Sequence, residues 1–385
     1  MDHHGQAVNS RLVRVDWLPF HIPYAAAFTT AHGRETVRSG VIIRVALANG
    51  LEGLGEASPL PAFGGGTLDD TLACVARLAP GLLGRTPGAA AELLGQAGEA
   101  QPGMAAALCG LDTALLDVDA QAAGLPLARW LAPGAAEAVP VNAAIGAADA
   151  PAACAAARRA VEAGIGCVKL KVGVAATSAA EIERIAAVRA AIGPGPRLRL
   201  DANAAWDVAT ATAIIGAAER YGLDLVEQPV AAGDLAGMAA VRAAVRTPIA
   251  ADEAVGGPAQ ARRVISAGAA DVLVLKPMMA GGLRRGRAII ALAQAAGMQT
   301  IVTTTIDSGV GVAAALHLAA TLPAPPPACG LATGTLLAGD LLVQPVIIRN
   351  GAIRLPVQPG LGVRLDERQL ARYAGEWRQI AAERT

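Results

Sequence analysis

From Val139 onward, short apolar runs alternate with alanine-rich segments at a regular interval along the chain. Such runs between helical segments predict parallel strands in βα units. The eight predicted strands are Val139–Ile145, Cys167–Val172, Arg197–Leu200, Leu223–Val226, Pro248–Ala251, Asp271–Leu275, Thr300–Thr304 and Ala328–Leu331. From the second to the seventh, successive strand ends lie 24 to 30 residues apart. Eight units of this period predict an α/β fold, a (β/α)8 TIM-like barrel. A doubly wound open sheet is the alternative.

The clearest helix between these strands is predicted over Ser178 to Ile192. Ser178 and Glu181 have the spacing of a capping box, in which each side chain bonds the other's backbone N–H. Gly193 follows directly and is typical of a helix end. Apolar residues recur along one face of the segment, so we expect this helix to pack against the barrel strands.

The first third of the chain has a different pattern, in which strands come first and helices follow. Val41–Leu47 is rich in β-branched residues, and Pro59–Thr67 has the composition of a loop. We therefore divide the chain into an α+β unit over residues 1–137, a barrel carrying the active site over residues 138–356, and a C-terminal segment over residues 357–385.

Titratable residues follow five consecutive predicted strands of the barrel, each at the point where the strand ends. They are Lys169, Lys171, Asp201, Glu227, Asp252 and Lys276. The carboxyl ends of all strands meet at one mouth of a barrel, where barrel enzymes carry their catalytic groups. A single acid after a strand is usually a helix cap, but five such strands in succession predict an active site.

The residue types at this mouth indicate a reaction. Three carboxylates would repel one another unless a divalent cation neutralised them, and all-oxygen ligation favours Mg²⁺, with Mn²⁺ as an alternative. Lysines on both sides suit removal of a proton alpha to a carboxylate, since the cation stabilises the enediolate and a neutral lysine accepts the proton. Lys169 beside Lys171 is expected to keep Lys171 available as the base. A purely structural set of buried ion pairs is the alternative.

The composition strengthens the case for these lysines. Of the 32 basic residues 29 are arginine, so the three lysines of the chain all lie in this constellation. Arginine stays protonated in proteins, whereas a buried lysine can lose its proton and act as a base. The formal net charge is zero, which leaves no broad basic face and argues against a nucleic-acid partner.

Other sequence features bear on the compartment and on assembly. Five scattered cysteines without a CxxC pair predict neither disulfides nor a zinc site and suit a reducing cytoplasm. The first residues lack the apolar segment of a signal peptide. The long uncharged stretch from Ser308 to Gly339 is interrupted by prolines and glycines, so we expect buried core there and no membrane span. An alanine-rich, uncharged surface favours a homo-oligomer.

Several further residues are weaker candidates. Gly309–Ala314 matches a dinucleotide-binding glycine pattern but lacks the following ribose-binding acid, so we expect at most an anion at the next helix N-terminus. His317 is expected to be a packed histidine, and Ser308 has no evident histidine partner. Asp307 is either a cap or an acid behind the site. Strand alternation predicts that Glu253 points away from the metal.

At these motifs the chain resembles the enolase superfamily, and within it the muconate-lactonizing-enzyme subgroup related to mandelate racemase. The matching motifs are KLK at Lys169–Lys171, DAN at Asp201–Asn203, EQP at Glu227–Pro229, ADE at Ala251–Glu253 and KPMMAGG at Lys276–Gly282. The resemblance covers nearly the whole chain and implies that the α+β unit is an N-terminal capping domain over the barrel mouth.

The resemblance also implies roles for individual residues. The acids Asp201, Glu227 and Asp252 would bind Mg²⁺, while Lys171 and Lys276 would form the acid/base pair. The capping domain would set specificity for a small carboxylate substrate through two loops, near Pro23–Arg34 and over Pro59–Thr67. The C-terminal segment, from about Val357, would return to pack on the capping domain.

Within the subgroup, Thr303–Ala320 and Cys329–Leu342 resemble the last two strands of o-succinylbenzoate synthases, which implies syn dehydration in menaquinone biosynthesis. N-Succinylamino-acid racemase, dipeptide epimerase and muconate-type cycloisomerase are the alternatives. Dipeptide epimerases usually carry an Asp-x-Asp motif at strand eight, where this chain has Leu331–Gly334 and no acid. Two other classes remain: an acid-sugar dehydratase, which usually needs a His-Asp dyad, and a barrel that binds a carboxylate without turnover.

Overall fold

The computed structural model describes residues 10–30, 33–98 and 101–382. The N-terminal part forms an antiparallel four-stranded sheet in the order β14-β1-β2-β3. Its strands are β1 (Leu12–Thr30), β2 (Gly33–Leu47), β3 (Glu52–Ala57) and β14 (Arg378–Ala381). The last strand comes from the C-terminal segment and pairs with β1, with Val15 opposite Ile380. The two ends of the chain therefore meet in one sheet.

Four helices follow this sheet: α1 (Leu68–Leu78), α2 (Pro87–Gly95), α3 (Met104–Ala122) and α4 (Leu127–Leu131). The long helix α3 packs directly on β3. A Cβ atom at Gly55 would lie 1.9 Å from the carbonyl oxygen of Gly110, and one at Gly53 would lie 2.1 Å from that of Ala114. Only glycine allows this close approach of helix to sheet. The buried side chains between the two layers include Ile43, Leu108 and Leu111.

Seven parallel strands form the second sheet, in the order β11-β10-β9-β8-β7-β6-β5. They are β5 (Ala143–Ile145), β6 (Cys167–Lys171), β7 (Arg197–Asp201), β8 (Leu223–Glu227), β9 (Ile249–Ala251), β10 (Val272–Leu275) and β11 (Gln299–Val302). Cys329 and Gly330 close the sheet, because Cys329 bridges to Val141 on one side and Gly330 bridges to Thr303 on the other. The sheet is a closed (β/α)8 barrel, as predicted, and the open doubly wound alternative is excluded.

Helices surround the barrel and connect its strands. They are α5 (Ala150–Glu162), α6 (Ser178–Ile192), α7 (Val208–Ala218), α8 (Leu235–Ala244), α9 (Pro258–Ser266), α10 (Pro277–Ala280), α11 (Leu283–Ala295) and α12 (Gly309–Ala319). After the barrel come β12 (Ile348–Arg349), β13 (Ala352–Arg354) and helix α13 (Glu367–Tyr373), and β13 pairs with β4 (Ala138–Pro140). Among the described residues, no helix is long and apolar enough to span a membrane.

The capping box predicted at α6 is wrong in one respect. The N-cap of this helix is Thr177, whose hydroxyl accepts a hydrogen bond from the N–H of Ala180 at 3.2 Å. Glu181 lies one position too far along the helix to bond the N-cap backbone. Its carboxylate instead accepts hydrogen bonds from the loop that follows β6. The helix still begins and ends where the pattern predicted, at Ser178 and Ile192.

Two carboxylates of the N-terminal part bind the N-termini of barrel helices. Glu56, at the end of β3, accepts hydrogen bonds from Ser308 N–H at 2.9 Å, from Ser308 Oγ at 2.5 Å and from Gly311 N–H at 2.7 Å. Asp112 of α3 accepts bonds from Arg284 at the start of α11, at 3.0 Å from N–H and 2.6 Å from Nη1. Both contacts place a carboxylate at a helix N-terminus, where the helix dipole stabilises negative charge. They also hold the two parts of the molecule together.

The glycine-rich first turn of α12 therefore binds carboxylates of the chain itself. Glu56 takes one side, and Asp340 accepts the N–H of Gly309 at 2.7 Å. The helix N-terminus does bind anions, as expected, but they are the side-chain carboxylates of Glu56 and Asp340. His317 lies farther along the same helix, is fully buried and hydrogen-bonds backbone groups through both ring nitrogens. It is a packed histidine, as expected.

Candidate active site

The structure places all six predicted site residues together at one end of the barrel. Strand pairing sets Lys171 beside Asp201 on the neighbouring strand, and Asp201 beside Glu227 on the next one. Asp252 and Lys276 directly follow β9 and β10. The three acids are at most 5% exposed. This juxtaposition follows from the parallel register, since each strand ends at the same level of the barrel.

Each lysine at the mouth bonds a carboxylate. Lys169 Nζ lies 2.6 Å from Glu227 Oε1 and 2.9 Å from Asp201 Oδ2. Lys171 Nζ lies 2.6 Å from the same oxygen of Asp201. On the other side of the three acids, Lys276 Nζ lies 2.5 Å from both carboxylate oxygens of Asp252. Lys171 and Lys276 therefore flank the acids from opposite sides. In this arrangement the two ammonium groups can reach opposite faces of one carbon atom of a bound substrate.

The electrostatics of the site reflect crowded negative charge in a buried place. Burial raises the pKa of Glu227, and the neighbouring Asp201 carboxylate raises it further. Burial would also raise the pKa of Asp201, but the ammonium groups of Lys169 and Lys171 outweigh it and lower that pKa. For Lys169 and Lys276, burial opposes the charged form, yet the surrounding carboxylates raise both pKa values. The ionised form of Glu227 is therefore disfavoured in this site.

The donor set fits a hard divalent cation. Asp201, Glu227 and Asp252 offer only carboxylate oxygens, the ligands that Mg²⁺ prefers. A bound cation would offset the repulsion that disfavours the ionised form of Glu227. Glu253 Oε2 is buried beside them and has no hydrogen-bond partner among the described residues. Throughout the described part of the chain, no three acidic, histidine or cysteine side chains are already arranged as a metal site. The assignment of metal ligands stays a prediction.

The expected orientation of Glu253 is wrong. Its Oε1 accepts a hydrogen bond from Asn203 Nδ2 at 2.9 Å, and Asn203 Oδ1 in turn accepts one from Lys171 Nζ at 2.7 Å. Burial and the adjacent Asp252 raise the pKa of Glu253. Strand alternation does not apply at this position, since β9 ends at Ala251 and the chain has already turned.

Two residues inside the quoted motifs have roles that residue-by-residue reasoning missed. Asn203 has φ of +44° and links Lys171 to Glu253. Gln228 has φ of +38°, and its Oε1 accepts the backbone N–H of Asp252 at 3.0 Å. The sequence signal was their place one or two residues after a strand-end acid, where a polar side chain can stabilise a turn.

A loop of the N-terminal part reaches the mouth of the barrel. The ring of Phe63, in the predicted loop Pro59–Thr67, lies 4.5 Å from Lys276 Nζ and makes a cation–π contact. The other expected specificity loop, Pro23–Arg34, includes residues 31 and 32, which lie outside the described residues. Its backbone continues β1 to Thr30 and resumes in β2 at Gly33.

Asp307 and Ser308 lie at the N-terminal end of α12. Ser308 is the N-cap of α12 and bonds Glu56. The Asp307 carboxylate accepts a hydrogen bond from Thr305 Oγ1 at 2.6 Å and faces Arg38 Nη2 at 3.9 Å. Burial and the nearby Glu56 raise the pKa of Asp307 to about 7. Asp307 is not the helix cap, because the N-cap position belongs to Ser308. Its role as an acid behind the site stays a prediction.

Comparison with known proteins places this geometry among characterised enzymes. Residues 152–369 match the family "Enolase C-terminal domain-like", and residues 8–132 match "Mandelate racemase / muconate lactonizing enzyme, N-terminal domain". An o-succinylbenzoate synthase of Thermobifida fusca (strain YX) is 43% identical over 196 residues, which cover 50% of this chain and 60% of that protein. The L-Ala-D/L-Glu epimerase of Bacillus subtilis (strain 168) is 31% identical over 92% of this chain and 96% of that protein.

A solved structure extends the likeness to the whole fold. The dipeptide epimerase from Cytophaga hutchinsonii, complexed with Mg and the dipeptide D-Ala-L-Val, superposes with a TM-score of 0.88 at 27% sequence identity. The match covers 96% of this chain and 100% of that one. The barrel and the N-terminal sheet with its helices therefore occur together in an enzyme that binds magnesium and a small substrate.

Proposed function

This chain belongs to the enolase superfamily and to its muconate-lactonizing-enzyme subgroup, and from that membership we propose that it removes a proton alpha to the carboxylate of a small substrate. The observation that carries the proposal is the pair Lys171 and Lys276 on opposite sides of three buried acids. Asp201, Glu227 and Asp252 would hold Mg²⁺. That cation would supply a positive charge that stabilises the negative charge developing on the substrate carboxylate.

Among the reactions of this class, we propose o-succinylbenzoate synthesis by syn dehydration. Lys171 accepts the alpha proton, and its ammonium then donates a proton to the departing hydroxyl on the same face. Lys276 remains protonated and stabilises the intermediate from the opposite face, a role consistent with the raised pKa that its carboxylate neighbours cause. The 43% identical synthase supports this choice of reaction.

The end of the eighth strand argues against a dipeptide substrate. Such a substrate would bring a free ammonium group, and Leu331–Gly334 offers no carboxylate to bind it. The next acid, Asp340, accepts the backbone N–H groups of Gly309 and Leu341, both at 2.7 Å. Its pKa is raised by burial. This carboxylate already serves the helix N-terminus of α12.

The proposal is tested by an absorbance assay at neutral pH with Mg²⁺ and the cyclohexadiene carboxylate precursor of o-succinylbenzoate. We expect rapid loss of the diene absorbance, abolished by EDTA and by Lys171→Ala. No turnover by folded, metal-loaded protein would overturn the synthase assignment.

N-Succinylamino-acid racemase is the second candidate, because lysines on opposite sides can exchange protons with both faces of one carbon. A racemase needs both lysines to transfer protons, whereas the synthase needs only Lys171 to do so. With N-succinyl amino acids in D₂O, Lys276→Ala should exchange the alpha proton of one enantiomer only, and Lys171→Ala should not racemise. Full racemisation or dehydration by Lys276→Ala would contradict the two-lysine assignment.

A further inference from the structure

Helix α6 carries a buried ion pair directly behind the strand of the candidate base. Glu181 and Arg184 are 2% and 4% exposed, and Arg184 Nη2 lies 2.7 Å from Glu181 Oε1. Neither residue belongs to the motifs by which the chain resembles its family. A buried ion pair gives little net stability, because the charges lose their hydration, so its presence calls for another explanation.

The Glu181 carboxylate organises the loop that follows β6. Its Oε2 accepts three successive backbone N–H groups, those of Gly173 at 2.8 Å, Val174 at 3.1 Å and Ala175 at 3.2 Å. Three donors converging on one oxygen hold this turn in one conformation, and bonds to a charged acceptor are among the stronger hydrogen bonds. The chain leaving Lys171 is thereby anchored two to four residues beyond it.

Arg184 joins the ends of two neighbouring strands. Its Nη2 donates to the carbonyl oxygen of Lys171 at 2.5 Å, and its Nη1 donates to the carbonyl oxygen of Ala147 at 3.0 Å, just past β5. A guanidinium presents several donors in a rigid plane, so these two carbonyls and Glu181 are held in fixed mutual positions. The backbone of Lys171 is therefore restrained on its outer side, while its Nζ bonds Asp201 on the inner side.

We propose that Glu181 and Arg184 form a positioning pair that fixes Lys171 for proton transfer. The inference rests on the proposed function, which makes Lys171 the base. Lys171 is 32% exposed in its side chain, more than Lys169 at 13% and Lys276 at 10%, so it has the least packing of the three to restrain it. The backbone restraint compensates for that freedom. A misplacement of about 1 Å can cost roughly 100-fold in rate.

The variants are Arg184→Met and Arg184→Lys, with Arg189→Lys as the matched control. Arg189 lies on the same helix and, like Arg184, donates to backbone carbonyls, in its case including those of Tyr221 at 2.8 Å and Pro196 at 2.8 Å. Those acceptors are at the opposite end of the barrel from the site. If Arg184→Met fails to fold, Arg184→Lys keeps the positive charge beside Glu181 and removes only the forked geometry.

One measurement needs no activity. The dipeptide Lys-Val occurs once in the chain, at Lys171-Val172, so labelling with [1-¹³C]lysine and [¹⁵N]valine isolates the Lys171 carbonyl as a single carbonyl–amide cross-peak. We expect that carbon to shift upfield in the Arg184 variants as its hydrogen bond is lost. With [6-¹³C]lysine the wild type and Arg184→Met have only three side-chain signals, and each of the two Arg→Lys variants adds a fourth from the new lysine. We expect the Lys171 signal to move in the Arg184 variants while those of Lys169 and Lys276 stay. Arg189→Lys should move none of them.

The kinetic measurement uses the substrate that the wild-type enzyme turns over. We expect the Arg184 variants to lower kcat by roughly 100-fold with KM changed less than about threefold, and to keep Mg²⁺ affinity by calorimetry. The proton-transfer step should become slower relative to the others, so the primary deuterium isotope effect on kcat should not fall. A simple loss of folded enzyme would lower kcat and the number of Mg²⁺ sites together.

Two results would overturn the positioning role: a lost carbonyl hydrogen bond with an unmoved Lys171 side-chain signal, or unchanged kcat in a variant that has lost the bond. A wild-type enzyme inactive on the cyclohexadiene and on N-succinyl amino acids would refute the proposed function instead. In that case the three lysine signals still decide whether Arg184 positions Lys171.

Discussion

His317 gives a stability prediction that can be worked from its contacts. The ring is fully buried on α12, its Nδ1 accepts the N–H of Ala128 at 3.0 Å, and its Nε2 lies 3.1 Å from the carbonyl oxygen of Leu361. Only the neutral ring with hydrogen on Nε2 satisfies both partners, because protonation of Nδ1 would place a donor against a donor. Burial lowers the pKa of His317 from 6.5 to about 4.

The sign and size of the effect follow from proton linkage. Between pH 6.5 and pH 4 the unfolded chain binds a proton at this ring and the folded chain does not, so stability falls as the pH falls through this interval. A difference of about 2.5 pKa units at 1.36 kcal/mol each corresponds to roughly 3 kcal/mol, of which about 2 kcal/mol is lost by pH 5. Above pH 7 this ring contributes no pH dependence.

The assay is urea unfolding of the wild type and of His317→Gln, followed by tryptophan fluorescence at a series of pH values from 7.5 to 4.5. Glutamine keeps a donor and an acceptor but does not titrate, so other titrating groups cancel in the difference between the two proteins. We expect the variant to be less stable at pH 7.5 and the gap to close by about 2 kcal/mol at pH 5. A difference that stays constant over this range would refute the assignment of a buried neutral ring.

Two further predictions concern the metal and the packing of the N-terminal part. Loss of a residue that only supports a metal ligand typically weakens metal binding roughly 10–100-fold. Asp201→Asn removes a predicted ligand itself, so we expect calorimetry to show a larger loss of Mg²⁺ affinity. Asp224→Asn, near the start of β8 and away from the site, should leave the Mg²⁺ affinity unchanged. Gly55→Ala should destabilise the protein by about 3 kcal/mol in thermal unfolding, because its Cβ would lie 1.9 Å from the backbone oxygen of Gly110. As the control, Gly88→Ala should leave the stability unchanged or slightly raised, because a Cβ atom at Gly88 would have no other atom within 4 Å. Equal losses of stability in the two variants would contradict the packing argument.

The barrel and the location of its site could be predicted from local patterns alone. Apolar runs at a constant period specify parallel strands, and a parallel register brings every strand end to the same level. A titratable residue directly after each run, such as Asp201 or Lys276, therefore had to face its counterparts. The rarity of lysine separated functional positions from the arginine-rich surface. These conclusions needed only the order and chemical type of residues within one βα unit.

Prediction failed where a side chain's partner is set by the folded structure and not by helix or strand periodicity. Glu181 had the spacing of a helix cap, yet its oxygen bonds the loop after β6. Glu253 was assigned by strand alternation at a point where the strand had already ended. Both expectations considered only residues adjacent in the chain. At both positions the carboxylate accepts hydrogen bonds from groups that the folded structure brings near it.

Local patterns were enough to predict the barrel strands, the span of α6 and the set of groups at the barrel mouth, because these depend on periodicity and on residues adjacent in the chain. Which groups meet across large separations depends on the tertiary structure. Glu56 caps a helix that begins 253 residues later at Gly309, and Phe63 lies against Lys276. Such pairs depend on how two sheets and their helices pack in three dimensions, and a buried carboxylate binds whichever donors that packing brings to it.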